Sequence, residues 1–472
     1  MSVSDVVEIA PVIAGAVLAL WALKLLFGLV RYVRADRMLR AGVRQAFVIR
    51  RRWKRLARLA GLTVTDRTPT FMDSLTTKDG KTPKPRVRTP RILVTADHYG
   101  VVVRAECLPK VGLDEYQRAA PYLADAWRCT RVSVLPNGPG QVLIRGVRVD
   151  PLSAPTDHVP TGEEPAEVGV WDMGLDEYAE PVSVGLDGVP GATVAGLPGY
   201  GKTSLINKLI CDMAPSPAVQ IAVADGKVSQ AHEGDYADVI GRLFAFVGDD
   251  LADANALFKK LVQLRKDRSA SIRGVLGATN MWSMGPSEGW PLVVLVIDEA
   301  HTYFRDYKGS DAATKKLAAL AAENQRLVED LVKKGRSVGM LVILATQKST
   351  GDAIPTFIRD VCPVGLSFAQ KTAEAAVAAL GDDIRNWPDA NPTTLQSPVY
   401  RGVASMAIQG RPGYTRIRTP FVQPEDAAWV SEATAHLTQD PAELLAALVG
   451  PADLEKEEVE PADDTSTATA AA

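Results

Sequence analysis

The clearest chemical signal in the chain is a glycine-rich segment near its middle, Gly196-Leu-Pro-Gly-Tyr-Gly-Lys-Thr203. It fits the pattern G-x-x-x-x-G-K-[ST], with the strand-like GATVA before it and the helix-like TSLINKLICDM after it. Glycines let backbone N–H groups close around phosphate oxygens, and the N-terminus of the following helix adds partial positive charge. The segment therefore predicts a P-loop that binds ATP. The predicted nucleotide-binding residues are contiguous: Gly196, Leu197, Pro198, Gly199, Tyr200, Gly201, Lys202, Thr203 and Ser204.

Two carboxylates follow a second apolar run, Pro291-LVVLVI-Asp298-Glu299. Carboxylates at the end of a buried strand are costly unless a cation or a proton balances them. We expect Asp298 and the Thr203 hydroxyl to hold Mg²⁺, and Glu299 to orient and deprotonate the attacking water.

A third apolar run, Met340-LVILA, ends in Thr346-Gln347. Ligands of open α/β sheets bind at the carboxyl ends of the strands, so Gln347 is positioned to contact the γ-phosphate or the water. The predicted catalytic residues are Lys202, which reaches the β- and γ-phosphates, together with Glu299 and Gln347.

The elements around these motifs alternate between strand and helix, which favours a mainly parallel sheet covered by helices on both faces. An earlier stretch differs: apolar alternation and turn signals between residues 91 and 150 predict a strand–strand–helix–strand–strand unit with its helix at Leu113–Trp127. The fold class predicted from the pattern is α/β with a small α+β subdomain. The predicted strands and helices of the larger part are Ala192–Ala195, Thr203–Met213, Val219–Ala224, Asp250–Arg265, Leu292–Ile297, Ala312–Lys334 and Met340–Ala345.

The N-terminal stretch Ile9–Val30 is apolar over 22 residues, with Lys24 as its one charge. That length suffices to cross a bilayer, and residues 31–60 then carry eleven Arg or Lys against one acid, Asp36. By the positive-inside rule we expect a single-pass anchor in the cell membrane, with the bulk of the chain cytoplasmic. The basic segment fits a helix on anionic lipid or, less well, contact with DNA.

Composition limits the alternatives. The 472 residues are 46% hydrophobic and 23% charged, with a net charge of −3, an ordinary globular balance. The four cysteines are far apart and lack metal-ligand spacing, which indicates free thiols in a reducing compartment.

The order of the motifs resembles one family, the FtsK/SpoIIIE DNA translocases. The resemblance rests on the P-loop, then Val223-Ala-Asp225-Gly-Lys227, then LVVLVIDEAH, then Gly335-Arg-Ser-Val-Gly339 running into ILATQKS, and it covers about residues 95 to 420. With a single N-terminal apolar run, the chain looks most like the actinobacterial conjugative transfer (TraB/TraSA-type) proteins. The resemblance implies a RecA-like P-loop ATPase core, a homo-hexameric ring that hydrolyses ATP at subunit interfaces, and double-stranded DNA threaded through the centre.

The resemblance and the composition shifts together predict six parts. They are a membrane anchor with a basic juxtamembrane helix (1–62, span about 9–30), a linker (63–90), a small α+β domain (91–170), an FtsK-type motor domain (171–425), a helical segment (426–450) and a disordered acidic tail (451–472).

The chain departs from the family pattern at three places, one of which is the single apolar run Ile9–Val30 where division translocases carry a multi-helix anchor. Where the family has an arginine downstream of the ATQ block, this chain has Cys362-Pro-Val-Gly365, so Arg336 and Arg359 are the candidates for an inter-subunit arginine. The segment after residue 424 is too short for the winged-helix domain that many members carry. DNA contacts in the pore are open: Arg268, Arg273 and Arg305 are either pore residues or solvated charges, and residues 281–290 fit a mobile loop.

The sequence thus predicts an ATP-driven double-stranded DNA translocase, moving plasmid or integrative-element DNA during conjugative transfer. The alternatives are secretion ATPases. A type IV coupling ATPase usually carries a large helical insertion, for which the separation of 96 positions from Lys202 to Asp298 leaves little room. A type VII export ATPase usually has several such cores in tandem. A nucleotide-binding scaffold fits least well, because the full set of site residues is present.

Overall fold

The structure is a computed structural model that describes residues 32–66, 85–347, 354–411 and 413–449. The chain divides into two compact units, residues 1–151 and residues 152–472.

The first unit is built on a four-stranded antiparallel sheet, with strand order β3-β4-β6-β5. The order of β3 to β6 along the chain, with α2 in the middle, is the strand–strand–helix–strand–strand order that the sequence predicts. The elements of this unit are α1 (Arg37–Leu59), β1 (Val64–Asp66), β2 (Arg86–Arg88), β3 (Ile92–Ala96), β4 (Gly100–Glu106), α2 (Leu113–Trp127), β5 (Arg131–Pro136) and β6 (Gln141–Val147).

Helix α1 is amphipathic and packs its apolar side into the core of this unit. It begins at Asp36, whose side chain accepts a hydrogen bond from the backbone N–H of Leu39 at 2.9 Å. Ala46, Ile49 and Trp53 recur at helical spacing and join the apolar cluster that includes residues of β3 and β4. The Trp53 indole N–H donates to the Pro90 carbonyl at 2.8 Å, which satisfies its buried polar atom.

The stretch predicted as a linker, residues 63–90, contributes paired strands at its two ends. Strands β1 and β2 form an antiparallel ladder in which Thr65 pairs with Val87. Residues 67–84 lie outside the described residues.

The second unit contains a ten-stranded sheet with the order β11-β10-β12-β13-β9-β14-β15-β16-β7-β8. The six strands from β11 to β14 run parallel, and the other four are antiparallel. The strands are β7 (Val170–Asp176), β8 (Pro181–Gly185), β9 (Gly191–Ala195), β10 (Val219–Asp225), β11 (Leu243–Val247), β12 (Leu292–Asp298), β13 (Met340–Thr346), β14 (Val364–Ser367), β15 (Val403–Ala407) and β16 (Tyr414–Arg418).

Helices connect the parallel strands. They are α3 (Lys202–Met213), α4 (Leu251–Leu276), α5 (His301–Phe304), α6 (Ala312–Lys334), α7 (Thr356–Arg359) and α8 (Ala373–Leu380), followed by α9 (Pro424–Thr434) and α10 (Pro441–Val449). Apolar clusters lie on both faces of the sheet, one around α3 and the other around α4 and α6. The mixed α/β fold with a large parallel sheet is therefore confirmed.

Two parts of the sequence interpretation are corrected here. The predicted strands and helices of the larger part did not include β7 and β8, which form because Trp171 and Met173 are buried and β7 pairs with the distant strand β16. Helix α4 continues to Leu276, past the predicted end at Arg265, and it therefore carries Arg268 and Arg273.

The predicted localisation, a single pass through the cell membrane with the bulk cytoplasmic, is wrong on this structure. Across the ranges that the structure describes, each helix is too short or too polar to cross a membrane. The longest ones, such as α1 and α4, carry several charged residues each, which a hydrocarbon core does not accommodate. The stretch 9–30, on which the prediction depended, lies outside the described residues.

Candidate nucleotide site

The P-loop joins β9 in the centre of the sheet to the N-terminus of α3. Its glycines adopt backbone angles that other residues avoid: φ is +148° at Gly196 and +109° at Gly201. A β-carbon on Gly201 would lie 3.0 Å from the Gly402 Cα and 3.1 Å from a ring carbon of Phe368. The loop is therefore tightly enclosed by chain segments from the second half of the unit.

Lys202 begins α3, and its ammonium group turns back into the loop. It donates hydrogen bonds to the Gly196 carbonyl at 2.8 Å and to the Leu197 carbonyl at 3.2 Å. Burial lowers the pKa of Lys202 to about 8, although the nearby Asp298 carboxylate opposes that shift. A buried cation held only by neutral carbonyls is a fitting partner for phosphate oxygens, whose negative charge would balance it.

Asp298 lies at the carboxyl end of β12 and is completely buried. One carboxylate oxygen, Oδ2, accepts hydrogen bonds from the Thr203 hydroxyl at 3.4 Å, from the Lys227 ammonium at 2.9 Å and from the Tyr236 hydroxyl at 3.2 Å. Thr203 and Asp298, the two predicted Mg²⁺ ligands, are thus neighbours. Their hard oxygen atoms suit Mg²⁺, so the residues present fit that ion.

Lys227 enters the site from the end of β10, where Asp225 stands beside Asp298 in register. Burial, and after it the Asp298 carboxylate, raise the pKa of Asp225 to about 6 against the opposing effect of Lys227. Burial also works against the charge of Lys227, but the carboxylates, led by Asp298, raise its pKa nevertheless. Lys227 therefore remains a cation that neutralises this acidic edge.

Glu299 follows Asp298 in a left-handed conformation with φ of +48°, unusual for a residue with a side chain. Its oxygen Oε2 is buried and has no hydrogen-bond partner within the described residues. Burial raises the pKa of Glu299 and the neighbouring Asp298 raises it further, whereas Lys227, Lys202 and a hydrogen bond from the Gln347 backbone lower it. Such an unpartnered carboxylate with a raised pKa is suited to accept a proton.

Gln347 follows β13 directly, and β13 lies between β12 and β9 in the sheet. Its hydrogen bond to Glu299 joins the second and third motifs. The structure therefore brings the residues of all three motifs to the same sheet edge.

A cavity of about 700 Å³ opens beside the P-loop. Six of the nine predicted nucleotide-binding residues line this cavity. Of the other three, Gly196 accepts the Lys202 hydrogen bond through its carbonyl and Leu197 packs in a small apolar cluster. The Tyr200 hydroxyl donates to the Gln396 carbonyl. The six that line the cavity are Pro198, Gly199, Gly201, Lys202, Thr203 and Ser204.

Gln347 and Lys227 also line the cavity, and distant parts of the chain supply further lining that the sequence did not predict. Apolar side chains, among them Pro155, Phe421 and Val422, line the cavity together with the exposed Arg401. The Arg418 guanidinium donates to the Arg401 carbonyl at 2.7 Å and so holds this segment in place. A cavity with both polar and apolar walls fits a nucleoside triphosphate. The sequence held no signal for these residues, because they follow no motif and meet the P-loop only through the fold.

The residues weighed as DNA contacts are placed differently. Arg268 is buried under Trp290 and donates to the Pro291 and Val338 carbonyls at 2.9 and 3.0 Å, so it is a structural residue. Arg273 is exposed on α4, and Arg305 lies over the Tyr307 ring. In the stretch 281–290, the indole N–H groups of Trp282 and Trp290 are both hydrogen-bonded to backbone carbonyls.

In sequence, the chain is similar to FtsK DNA translocases. The DNA translocase FtsK of Vibrio vulnificus (strain CMCP6) is 25% identical over 234 residues, which cover 42% of this chain and 22% of that protein. The Helicobacter pylori (strain ATCC 700392 / 26695) FtsK is 23% identical over 261 residues, which cover 54% of this chain and 28% of that protein. These matches confirm the resemblance, while the chain spans only about a quarter of the length of these curated relatives. No family model matches the chain.

In structure, the fold is similar to that of the pCW3 conjugation coupling protein TcpA, in its monomer form with ATPγS. The TM-score is 0.50 at 16% identity, covering 74% of this chain and 94% of that one. The Thermomonospora curvata type VII secretion ATPase EccC gives a TM-score of 0.43 at 16% identity, covering 62% of this chain and 34% of that one.

Proposed function

We propose that this protein is an ATP hydrolase that uses the energy of hydrolysis to move double-stranded DNA, in the transfer of plasmid or integrative-element DNA between cells. The observation that carries the proposal is the position of Glu299. Its buried carboxylate oxygen has no partner within the described residues and lies beside the P-loop lysine and the Asp298 carboxylate.

Each residue of the nucleotide site has a separate role in ATP hydrolysis. Lys202 and the P-loop N–H groups bind the phosphates and stabilise the negative charge that builds up on them. Glu299 accepts a proton from the water that attacks the γ-phosphorus, while the bond to the leaving ADP oxygen breaks. Gln347 orients that water. Thr203 and Asp298 would hold Mg²⁺, which would supply further neutralisation of phosphate charge.

Lys227 connects the site to the rest of the sheet edge. Its ammonium is 2.9 Å from an Asp298 oxygen. A divalent cation would compete with Lys227 for that carboxylate, and the γ-phosphate would compete with Asp298 for the Lys227 ammonium. Binding of the nucleotide therefore requires Lys227 to shift or to share its partner, which gives the end of β10 a means of sensing the γ-phosphate.

DNA as the moved substrate, and a homo-hexameric ring as the active form, are proposed from the similarity to FtsK translocases. The fold similarity to a conjugation coupling protein supports the setting in conjugation. The narrower likeness to actinobacterial TraB/TraSA-type proteins stays a prediction.

The test is ATP hydrolysis by the full chain, with and without linear duplex DNA, alongside Glu299→Gln. We expect duplex to stimulate the wild-type rate severalfold, and Glu299→Gln to lower kcat at least about 100-fold while ATP still binds. Hydrolysis that is indifferent to duplex, but is raised by single strands or by a secreted protein, would instead identify a type IV or type VII secretion ATPase. An unchanged rate in Glu299→Gln would remove the assignment of the base.

A further inference from the structure

Helix α1 carries a row of exposed arginines that the nucleotide site does not use. At 3.6 residues per turn, six of them fall within a strip about 60° wide and about 32 Å long. No acidic residue lies within α1. The residues of this arginine strip are Arg37, Arg40, Arg44, Arg51, Arg55 and Arg58.

The charge of the strip is not neutralised by the part of the chain that the structure describes. Arg40 donates to the backbone carbonyls of Tyr32 and Val33, and none of the six has a carboxylate partner among the described residues. Six like charges in a row repel one another, so a partner with closely spaced negative charges would be bound strongly.

The placement of α1 decides which polyanion fits. A helix that lies on a lipid surface inserts an apolar face between the headgroups. In α1 the main apolar face is already buried, because Ala46, Ile49, Trp53 and Ala57 lie in the core of the first unit. What remains for a partner is the charged strip, flanked by the separate exposed side chains of Val43, Phe47, Val48 and Leu59, of which Phe47 is the one aromatic residue.

We propose that the arginine strip of α1 is a binding face for the phosphate backbone of duplex DNA, separate from the nucleotide site. Duplex DNA presents about one charge per 1.7 Å of its axis, and the strip is about as long as one turn of the double helix. Guanidinium groups bind phosphate oxygens in pairs of hydrogen bonds. Sites for single strands combine basic grooves with several aromatic platforms, which this face lacks. Contacts with phosphate are independent of base sequence, so the arginine strip binds DNA without recognising its sequence.

The test is equilibrium binding of a fluorescent duplex of random sequence, about three helical turns long, to the full chain without nucleotide. The variant is the triple substitution Arg44→Gln, Arg51→Gln and Arg55→Gln, since glutamine keeps the helix propensity and removes the charge. The matched control removes the same charge from exposed arginines of the same unit that lie off the strip: Arg88→Gln, Arg104→Gln and Arg118→Gln.

We expect the strip variant to bind duplex at least about tenfold more weakly at about 0.1 M salt. Its slope of log affinity against log salt should be shallower by roughly 0.9 for each lost contact, and the control should bind like the wild type. Equal losses in both variants, or no loss in the strip variant, would overturn the proposal. So would a strip variant that keeps duplex binding but no longer binds vesicles of anionic lipid, since the partner would then be lipid.

This result is independent of the proposed ATPase, because no nucleotide is present. Hydrolysis without DNA should be the same in the strip variant and the wild type, since the residues that line the cavity beside the P-loop all belong to the second unit. If the protein binds duplex through the strip but hydrolyses no ATP, this inference stands and the proposed function is wrong. If it hydrolyses ATP but the strip does not bind duplex, the proposed function stands and this inference is wrong.

Discussion

At the scale of single residues, the lowered pKa of Lys202 gives ATP binding a pH dependence. Burial lowers the pKa of this ammonium to about 8, so the free protein loses the charge as the pH rises through that value. Phosphate favours the charged form, and the dissociation constant for ATP should therefore rise by up to about tenfold per pH unit above about 8. Binding of a fluorescent ATP analogue between about pH 7 and pH 9.5 measures this. A flat profile would mean that Lys202 keeps an ordinary pKa.

Arg268 is completely buried, and we expect it to contribute to the stability of the fold rather than to DNA binding. Replacement by Met fills the space of the side-chain stem but leaves the Pro291 and Val338 carbonyls without their charged donor, at a cost of about 2–4 kcal/mol in the free energy of unfolding. Arg273→Met, on the exposed side of the same helix, should change it by less than about 0.5 kcal/mol.

Denaturant unfolding of both variants, followed by circular dichroism, makes the comparison. If Arg268→Met were as stable as the wild type and only duplex-stimulated hydrolysis were lost, Arg268 would belong to a DNA contact after all.

At the scale of elements, the P-loop depends on the close approach of the segment around Gly402. Gly201→Ala places a methyl group 3.0 Å from the Gly402 Cα at a φ of +109°, so the loop must open and ATP binding should fall at least about 100-fold. Gly199→Ala is the matched control. Its φ of +73° costs about 1–2 kcal/mol, but its methyl group meets no atom within 4 Å.

Isothermal calorimetry with ATP measures both variants, and thermal unfolding shows that they remain folded. Equal affinities for Gly201→Ala and Gly199→Ala would show that backbone conformation alone, rather than the enclosing segment, shapes the loop.

Local patterns predicted most of these elements. The P-loop, β12 with its two acids and β13 before Gln347 were all visible, because their apolar runs and polar ends are local features of the sequence. Strand β7 was missed because it is stabilised by pairing with β16, more than 200 residues later, and because a bulge near Gly174 interrupts its alternation. The same distance in sequence hid Arg401 and Phe421, whose approach to the P-loop depends on the complete sheet.

At the scale of the whole molecule, the sequence predicted an α/β chain with a parallel sheet and a small separate α+β unit. It did not predict how far the sheet extends, since the four antiparallel strands beyond β14 alternate weakly and are separated by Pro- and Gly-rich stretches. The structure also narrows the choice between the two candidate inter-subunit arginines. The Arg359 guanidinium donates to the Ala378 carbonyl within its own chain, whereas Arg336 is exposed on a turn held by the Trp282 indole.

If the active form is a ring, Arg336 is the residue we expect to reach the nucleotide of a neighbouring subunit. Arg336→Ala should then lower kcat about 10³-fold or more while ATP binding in the same subunit is unchanged, as for other arginines supplied across an interface.

Lys202→Ala disables the nucleotide site but leaves Arg336 in place. Each variant alone is therefore inactive for a different reason. Mixed in equal amounts, they should regain hydrolysis at about a quarter of the interfaces, namely those where an intact site meets an intact arginine. Activity of the mixture, measured against protein concentration, tests the arginine and the ring together. A fully active Arg336→Ala would exclude this residue, and a mixture as inactive as its parts would contradict sharing of the site between subunits.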